Sequence, residues 1–436
     1  MRIEEAQLKM KRNLWLVHAF GVVLVALLIA GCTFAPPMPT PETGPNETAP
    51  SAASSQSAVV TAPPPPAGAT VPTDTVGRLI VVTLSAPSLK DNLFGDPVER
   101  PLAIYLPPTY FTANRQYPVV YFLAGFGDQV TDFISGVYGL ALPLSMDSLI
   151  MRQRIREMIL VVVSGRNYLG GSFYTNSPVT GNWEDFIVKE IVPYVDSHYR
   201  TLARAESRGI SGHSMGGSGS LSLAMHHPGV FGAVYSLSPG VFNEDGLSHS
   251  QMFASPATVD SFLATQARLE AMPREQAGME FGNVLEAAAK RADWDYFFTC
   301  AYGAAFAPDP KKNAPYLEYP YRRVGAQLSR DDGIWKKWEG GFGGVTEKID
   351  KYRKNLQRLK AMVIDYGTND EYRWIPLGCE YLSHQLDSAG ITHRLVSFPG
   401  GHQDKLGERM QEYMLPFLSD VLVSDGRGVI VDSADD

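Results

Sequence analysis

The sequence predicts an α/β fold, a mostly parallel sheet with helices on both faces, and three observations carry that expectation. Short apolar runs such as Ile159-Leu160-Val161-Val162-Val163 are nearly continuous, as strands buried on both faces must be. They alternate with helical patterns, which is the rhythm of a parallel sheet with crossovers. A glycine-rich turn, Gly212-His213-Ser214-Met215-Gly216-Gly217, joins an extended segment to a helix-compatible one.

Taken in order, the strands are expected at Arg78–Leu84, Leu102–Leu106, Pro118–Leu123, Met158–Val163, Ser207–Ser211, Gly232–Leu237, Ala361–Tyr366 and His393–Phe398. Helical spacing marks Trp183–Val195 and Thr346–Leu359. In the latter, Ile349, Tyr352, Leu356 and Leu359 share one face, and Lys351, Arg353, Lys354 and Arg358 lie away from it. Residues 243–345 break the rhythm before the seventh strand. Helices are expected there at Val259–Ala271 and Gln276–Arg291, with aromatic-rich turns at Trp294–Phe298 and Tyr316–Tyr321. Insertions at the strand ends of such sheets border ligand crevices, so this one is expected to be a lid; a packed helical appendage is the alternative.

The N-terminal residues read differently. Lys9, Lys11 and Arg12 precede an apolar run from Leu14 to Ala30, which closes on Ile29-Ala30-Gly31-Cys32. A basic segment, an apolar segment and small residues before a cysteine describe an export signal with a lipidation site at Cys32. An uncleaved anchor and an ordinary signal peptide remain open. Residues 33–73 are rich in Pro, Ala, Ser and Thr and have almost no large apolar side chains, as in a semi-extended tether. The division expected is 1–32 signal, 33–73 tether, 74–425 folded domain and 426–436 tail. The domain is then held at a bacterial membrane, outside the cytoplasm, by its lipid.

The 436 residues are 44% hydrophobic with a net charge of −8 and no long block of one sign, which argues against a nucleic-acid partner. Neither an H-E-x-x-H nor a C-x-x-C spacing occurs, so no metal and no other cofactor is expected. Whether Cys300 and Cys379 pair is left open.

Gly212 to Gly216 is a G-x-S-x-G pentapeptide between strand and helix, the arrangement of a nucleophile elbow. The turn lifts Ser214 to the head of a helix, where the Met215 amide faces any charge developing on a bound carbonyl. A serine hydroxyl needs a base, and the base needs an acid to fix its tautomer. Of the downstream histidines, His226 and His227 sit at a helix end and read as structural, His384 lies mid-helix and His393 begins a strand. His402 follows a late strand on the loop Phe398-Pro399-Gly400-Gly401 and is the expected base. Asp370, on the turn Gly367-Thr368-Asn369-Asp370, is the expected acid. Asp365 is second choice, because inside a strand it would need another buried partner. The second oxyanion donor is assigned to the Phe126 amide, in the loop after Tyr121-Phe122-Leu123-Ala124-Gly125.

These residues together resemble the esterase D family of α/β-hydrolases, which includes feruloyl esterases, S-formylglutathione hydrolase and the mycolyltransferases. The likeness runs from about Leu79 to Leu422. It takes in Tyr105-Leu106-Pro107-Pro108, Gly171-Ser172-Phe173-Tyr174, Trp183-Glu184-Asp185-Phe186, the elbow, the Gly367–Asp370 turn and the Gly401-His402 pair. It implies an α/β-hydrolase fold with the triad Ser214, Asp370 and His402 and oxyanion amides from Met215 and Phe126. The substrate implied is a small-molecule or carbohydrate-linked ester. The neighbourhood of Ser172 and Trp183 looks like the mycolyltransferase side, which keeps acyl transfer in view; a non-catalytic surface-binding lipoprotein is the third reading. Two places depart from the family: Ala124-Gly125 stands where His-Gly is frequent, and Asp404 where many members carry tryptophan. The wall beside His402 is therefore expected to be more polar.

Overall fold

All eight expected strands form, and they join one sheet. In chain order they are β1 Arg78–Ser85, β2 Glu99–Leu106, β3 Val119–Leu123, β4 Ile159–Val163, β5 Arg208–His213, β6 Ala233–Leu237, β7 Ala361–Gly367 and β8 Arg394–Phe398. The spatial order is β1-β2-β4-β3-β5-β6-β7-β8. The β1–β2 and β2–β4 pairs are antiparallel and every later pair is parallel. The structure, a computed structural model, describes residues 76–424. The expected signal, Cys32, the whole 33–73 tether and the 426–436 tail lie outside the described residues. No helix among the described residues is long and apolar enough to cross a membrane.

Alternation along the strands feeds two cores. Val119, Tyr121 and Leu123 of β3 pack on one face with Trp183, Phe186 and Leu223. Val120 and Phe122 face the other way, toward Met146, Leu149, Met410 and Leu418. Strands buried on both faces carry no polar alternation, hence their continuous apolar runs.

Two of the expected elements take another form, and two further elements were not expected. Trp183–Val195 is not one regular helix: Trp183–Asp185, a wide π turn at Phe186–Ile191 and Val192–His198 follow each other. Pro193 has no N–H to give to the preceding turn, and the ladder widens ahead of it. Trp294–Phe298, expected as turns, opens the helix Trp294–Phe306, capped by Asp293, whose side chain accepts the Tyr296 N–H at 3.2 Å. The run Thr299–Ala305 is buried throughout, so the helix shows no polar stripe that periodicity could detect. The other insertion helices are Pro256–Glu270, Arg274–Lys290 and Asp332–Phe342, the last absent from the expectation, as is the hairpin Tyr321–Val324 with Gln327–Arg330. The insertion shares the main core: Val259, Phe281, Tyr302 and Trp338 are buried in the cluster that also holds β3 and Trp183. Cys300 and Cys379 are both buried and both free.

Candidate active site

The site is built at the C-terminal ends of β3, β5 and β7 and on the loop after β8. β5 is buried along its whole length and runs into Ser214, whose backbone is forced to φ 57° and ψ −115°. Positive φ in a non-glycine residue is costly and persists only where the surroundings impose it. They do so here through close backbone packing. A Cβ on Gly212 would lie 2.3 Å from the Gly216 carbonyl oxygen, and one on Gly216 2.0 Å from that of Leu123. The Ser214 N–H donates to Leu237 O at 2.9 Å, tying the turn to the end of β6. The helix Met215–His226 starts immediately afterwards, so the Met215 amide has no helical carbonyl behind it to accept its proton.

The structure brings the three expected side chains together. His402 Nε2 lies 2.8 Å from Ser214 Oγ, and His402 Nδ1 lies 2.7 Å from Asp370 Oδ2. A carboxylate only accepts, so the ring proton belongs on Nδ1 and Nε2 is left to accept from the serine hydroxyl. Asp370 is fully buried, and its other oxygen accepts the Tyr372 N–H at 2.9 Å.

Several residues that sequence reasoning passed over hold this chain in place. Glu371 Oε2 accepts the His402 backbone N–H at 2.8 Å. His213, inside the pentapeptide, donates Nε2–H to the His402 carbonyl at 2.9 Å. Burial, with the nearby His402 ring second, pushes the His213 imidazole down to about 3, so it is a neutral clamp and not a second base. The Asp404 carboxylate turns back to its own loop and accepts the Gly401 N–H at 2.8 Å. The ring of His402 is flanked instead by Tyr372, edge-on at 5.1 Å, and His213 at 4.8 Å. On those sides the wall is formed by aromatic rings that carry polar groups, while Asp404 itself is turned to the loop.

The loop after β3 is pinned on both sides of Phe126. The Gly125 N–H donates to Asp128 Oδ2 at 3.0 Å and the Gly127 N–H to Gly170 O at 2.8 Å. The Phe126 N–H itself has no acceptor among the described residues. Burial raises the Asp128 carboxyl, and the Tyr138 hydroxyl, donating to it at 2.6 Å, pulls the other way. Tyr174 bridges beneath the loop: its hydroxyl accepts the Gly165 N–H at 2.9 Å and lies 2.9 Å from the Ala124 carbonyl oxygen. Gly171 lets the two halves meet, since a Cβ there would stand 2.5 Å from both Met215 Sδ and Phe126 Cδ2. Phe298 of the insertion packs on Phe126 at 5.2 Å and on Phe173 at 5.4 Å. The insertion therefore reaches the loop beside the site as a packed roof.

Asp365 finds the buried partner its position demanded. Its Oδ2 accepts from Arg409 through both Nε, at 3.0 Å, and a terminal nitrogen, and from the Tyr235 hydroxyl at 2.6 Å. No hydrogen bond or ion pair joins it to His402 among the described residues.

The fold and this arrangement define a class: an α/β-hydrolase-type sheet with a serine, a histidine and a carboxylate joined by hydrogen bonds at the C-terminal ends of its strands. The Esterase family model, described as "Putative esterase", matches residues 97–319, just over half of the 436-residue chain. The chain belongs to that family. Esterase Rv1288 of Mycobacterium tuberculosis is 32% identical over 140 residues, which cover 30% of this chain and 27% of that protein. An endo-1,4-beta-xylanase/feruloyl esterase of Xylanibacter ruminicola is 29% identical over 146 residues, 32% of this chain and 19% of the relative. The chain thus spans about a quarter or less of the length of these relatives. Among solved structures, a ferulic acid esterase superposes with a TM-score of 0.51 at 18% identity, covering 79% of this chain and 99% of the other, a likeness of fold.

Proposed function

We propose that the protein is a serine carboxylic-ester hydrolase that works through an acyl-enzyme. Ser214 Oγ attacks the acyl carbonyl carbon while His402 Nε2 takes the hydroxyl proton. His402 then gives that proton to the leaving alcohol, and Asp370 holds the ring in its tautomer and stabilises the cation formed in between. The Met215 and Phe126 amides receive the oxyanion. Water activated by His402 attacks the acyl group, Ser214 regains its proton and the acid leaves. The observation that carries this reading is the unbroken line from Asp370 through His402 to Ser214, with contacts of 2.7 and 2.8 Å. The substrate class is a small-molecule or carbohydrate-linked ester, in keeping with the esterase and feruloyl esterase names of the relatives.

A fluorophosphonate reagent should label Ser214 and abolish ester hydrolysis. Ser214→Ala should lose labelling and about 10⁶ in kcat. A folded Ser214→Ala protein that still hydrolyses esters at more than a small fraction of the original rate overturns the mechanism.

From the basic residues and the apolar run that closes on Ile29-Ala30-Gly31-Cys32, we also propose that the enzyme works outside the cytoplasm, attached to a membrane through lipid on Cys32. A single acyl chain holds a protein only marginally, so a multiply acylated cysteine is expected. Fatty acid fed to a bacterial host should label the original protein and not Cys32→Ser; label in the variant removes this anchor.

A further inference from the structure

Glu184, His226 and His227 draw together from segments far apart in the chain, well away from the ester chemistry. Glu184 lies in the turn that begins at Trp183. His226 is the last residue of the helix that starts beside Ser214, and His227 is its C-cap. Adjacent residues of a continuing helix would point about 100° apart. His227 instead leaves helical geometry, at φ −125° and ψ 57°, and its ring comes back to the carboxylate that His226 faces. His227 Nε2 is 2.7 Å from Glu184 Oε1, and His226 Nδ1 is 3.2 Å from each carboxylate oxygen. One ligand atom from each of the three residues lies within 4.8 Å of the others.

We propose that these three side chains bind one divalent metal ion of the zinc type. Two imidazoles and one carboxylate are a complete set of three protein ligands for zinc, with a fourth position open to water. Ligand atoms bonded at about 2.0–2.2 Å to a tetrahedral ion stand roughly 3.3 Å apart, and the observed separations, all within 4.8 Å, reach that by ring movements of about 1.5 Å or less. The side chains are between 18% and 29% exposed, which gives an ion access while leaving the site sheltered. The carboxylate oxygens and the two ring nitrogens that face one another are the atoms that would bind, each imidazole giving up the ring proton it now shares with Glu184. The setting also suits a cation, because the C-terminal end of the Met215–His226 helix is the negative end of its dipole. The Tyr352 ring, 4.7 Å from that of His226, supports one imidazole from a third element.

The helix between Ser214 and His226 separates the two sites by on the order of 17 Å at 1.5 Å per residue. A metal here would not join ester chemistry. It would fasten the far end of the nucleophile's helix to the segment at Trp183, adding stability by binding only the folded state.

The test uses the full chain, without a histidine tag, stripped with a chelator and titrated with Zn²⁺ against a chromophoric competitor. One equivalent should bind per chain, and its affinity should fall at least about tenfold in Glu184→Gln and in His227→Gln. His249→Gln, at an exposed histidine elsewhere, should bind as the original does. Zinc should raise the melting temperature of the original protein and not that of the two variants. Unchanged affinity in both variants, or no stoichiometric binding, overturns the site. Should a variant fail to fold, Co²⁺ added to the original protein decides: intense visible bands of a four- or five-coordinate ion are expected, and the weak spectrum of a hydrated ion refutes the proposal.

Discussion

β7 and the turn that leaves it carry two buried carboxylates with opposite occupations. Asp365 is clamped by Arg409 and Tyr235, all of its donors crowding one oxygen while Oδ1 has no hydrogen-bond partner. Asp370, past the strand end, spends one oxygen on the Tyr372 amide and offers the other to His402, which itself reaches a serine. Both are sealed from water, so burial does not distinguish structure from chemistry here. The partner does. A guanidinium stays charged and holds its proton, whereas an imidazole can take a proton from one atom and give it to another.

Substituting each carboxylate separates the two roles most sharply. Asp370→Asn should lower kcat by about 10⁴ with little change in melting temperature, because an amide presents the wrong partner to Nδ1. Asp365→Asn leaves the Arg409 charge buried beside a neutral side chain and should destabilise the fold by about 3–5 kcal/mol. Its activity per folded molecule should be near that of the original. Urea titration and initial rates on the same preparations check both. Greater loss of activity in folded Asp365→Asn than in Asp370→Asn would exchange the two assignments.

The contrast was partly legible in the sequence. Asp365 lies in an apolar strand pattern and Asp370 on a glycine-led turn, which was enough to rank them. The elbow was legible too, because glycines at 212 and 216 are demanded by backbone contact. Arg409 was not, since it comes from a helix after β8 that no local pattern links to β7. Glu371 and His213 were missed for a related reason. They act on the backbone of His402, and a hydrogen bond to main chain leaves no residue-type signature. The sheet was read strand by strand because its apolar runs are continuous. The Trp294–Phe306 helix is not legible as one, because its run Thr299–Ala305 is buried on every side and shows no helical period. The cluster at Glu184 was read only as histidines at a helix end, because its carboxylate sits 42 residues before the first of them.

His213 extends the comparison to pH. Its folded value, about 3, is far below the ordinary ~6.5 of an unfolded histidine. Between those values the unfolded chain binds a proton that the folded one refuses, so its contribution is intact above about 6.5 and is lost as pH falls toward 3. His213→Gln keeps a donor of similar size and should flatten that part of the stability curve relative to the original. Denaturation midpoints from pH 7 to 4 measure it. Parallel curves for the two proteins would mean that His213 takes up its proton in the folded state as readily as in the unfolded one.

The smallest effect is expected at Glu371, next to Asp370 in the chain. Its carboxylate is largely exposed, and it is held below the usual range chiefly by the His402 amide it accepts. The contact fixes the loop that carries His402 without touching the ring, so it can alter only how well Nε2 is aimed at Ser214. A hydrogen bond at an exposed carboxylate is screened and easily replaced by water. Glu371→Gln, which still offers an oxygen to the amide, should leave kcat within about twofold, while Glu371→Ala should lower it about two- to fivefold, with KM unchanged in both. A loss in Glu371→Gln as large as that of Asp370→Asn would mean that the charge itself takes part in catalysis, and the division between a carboxylate that serves the proton and one that serves the backbone would fail.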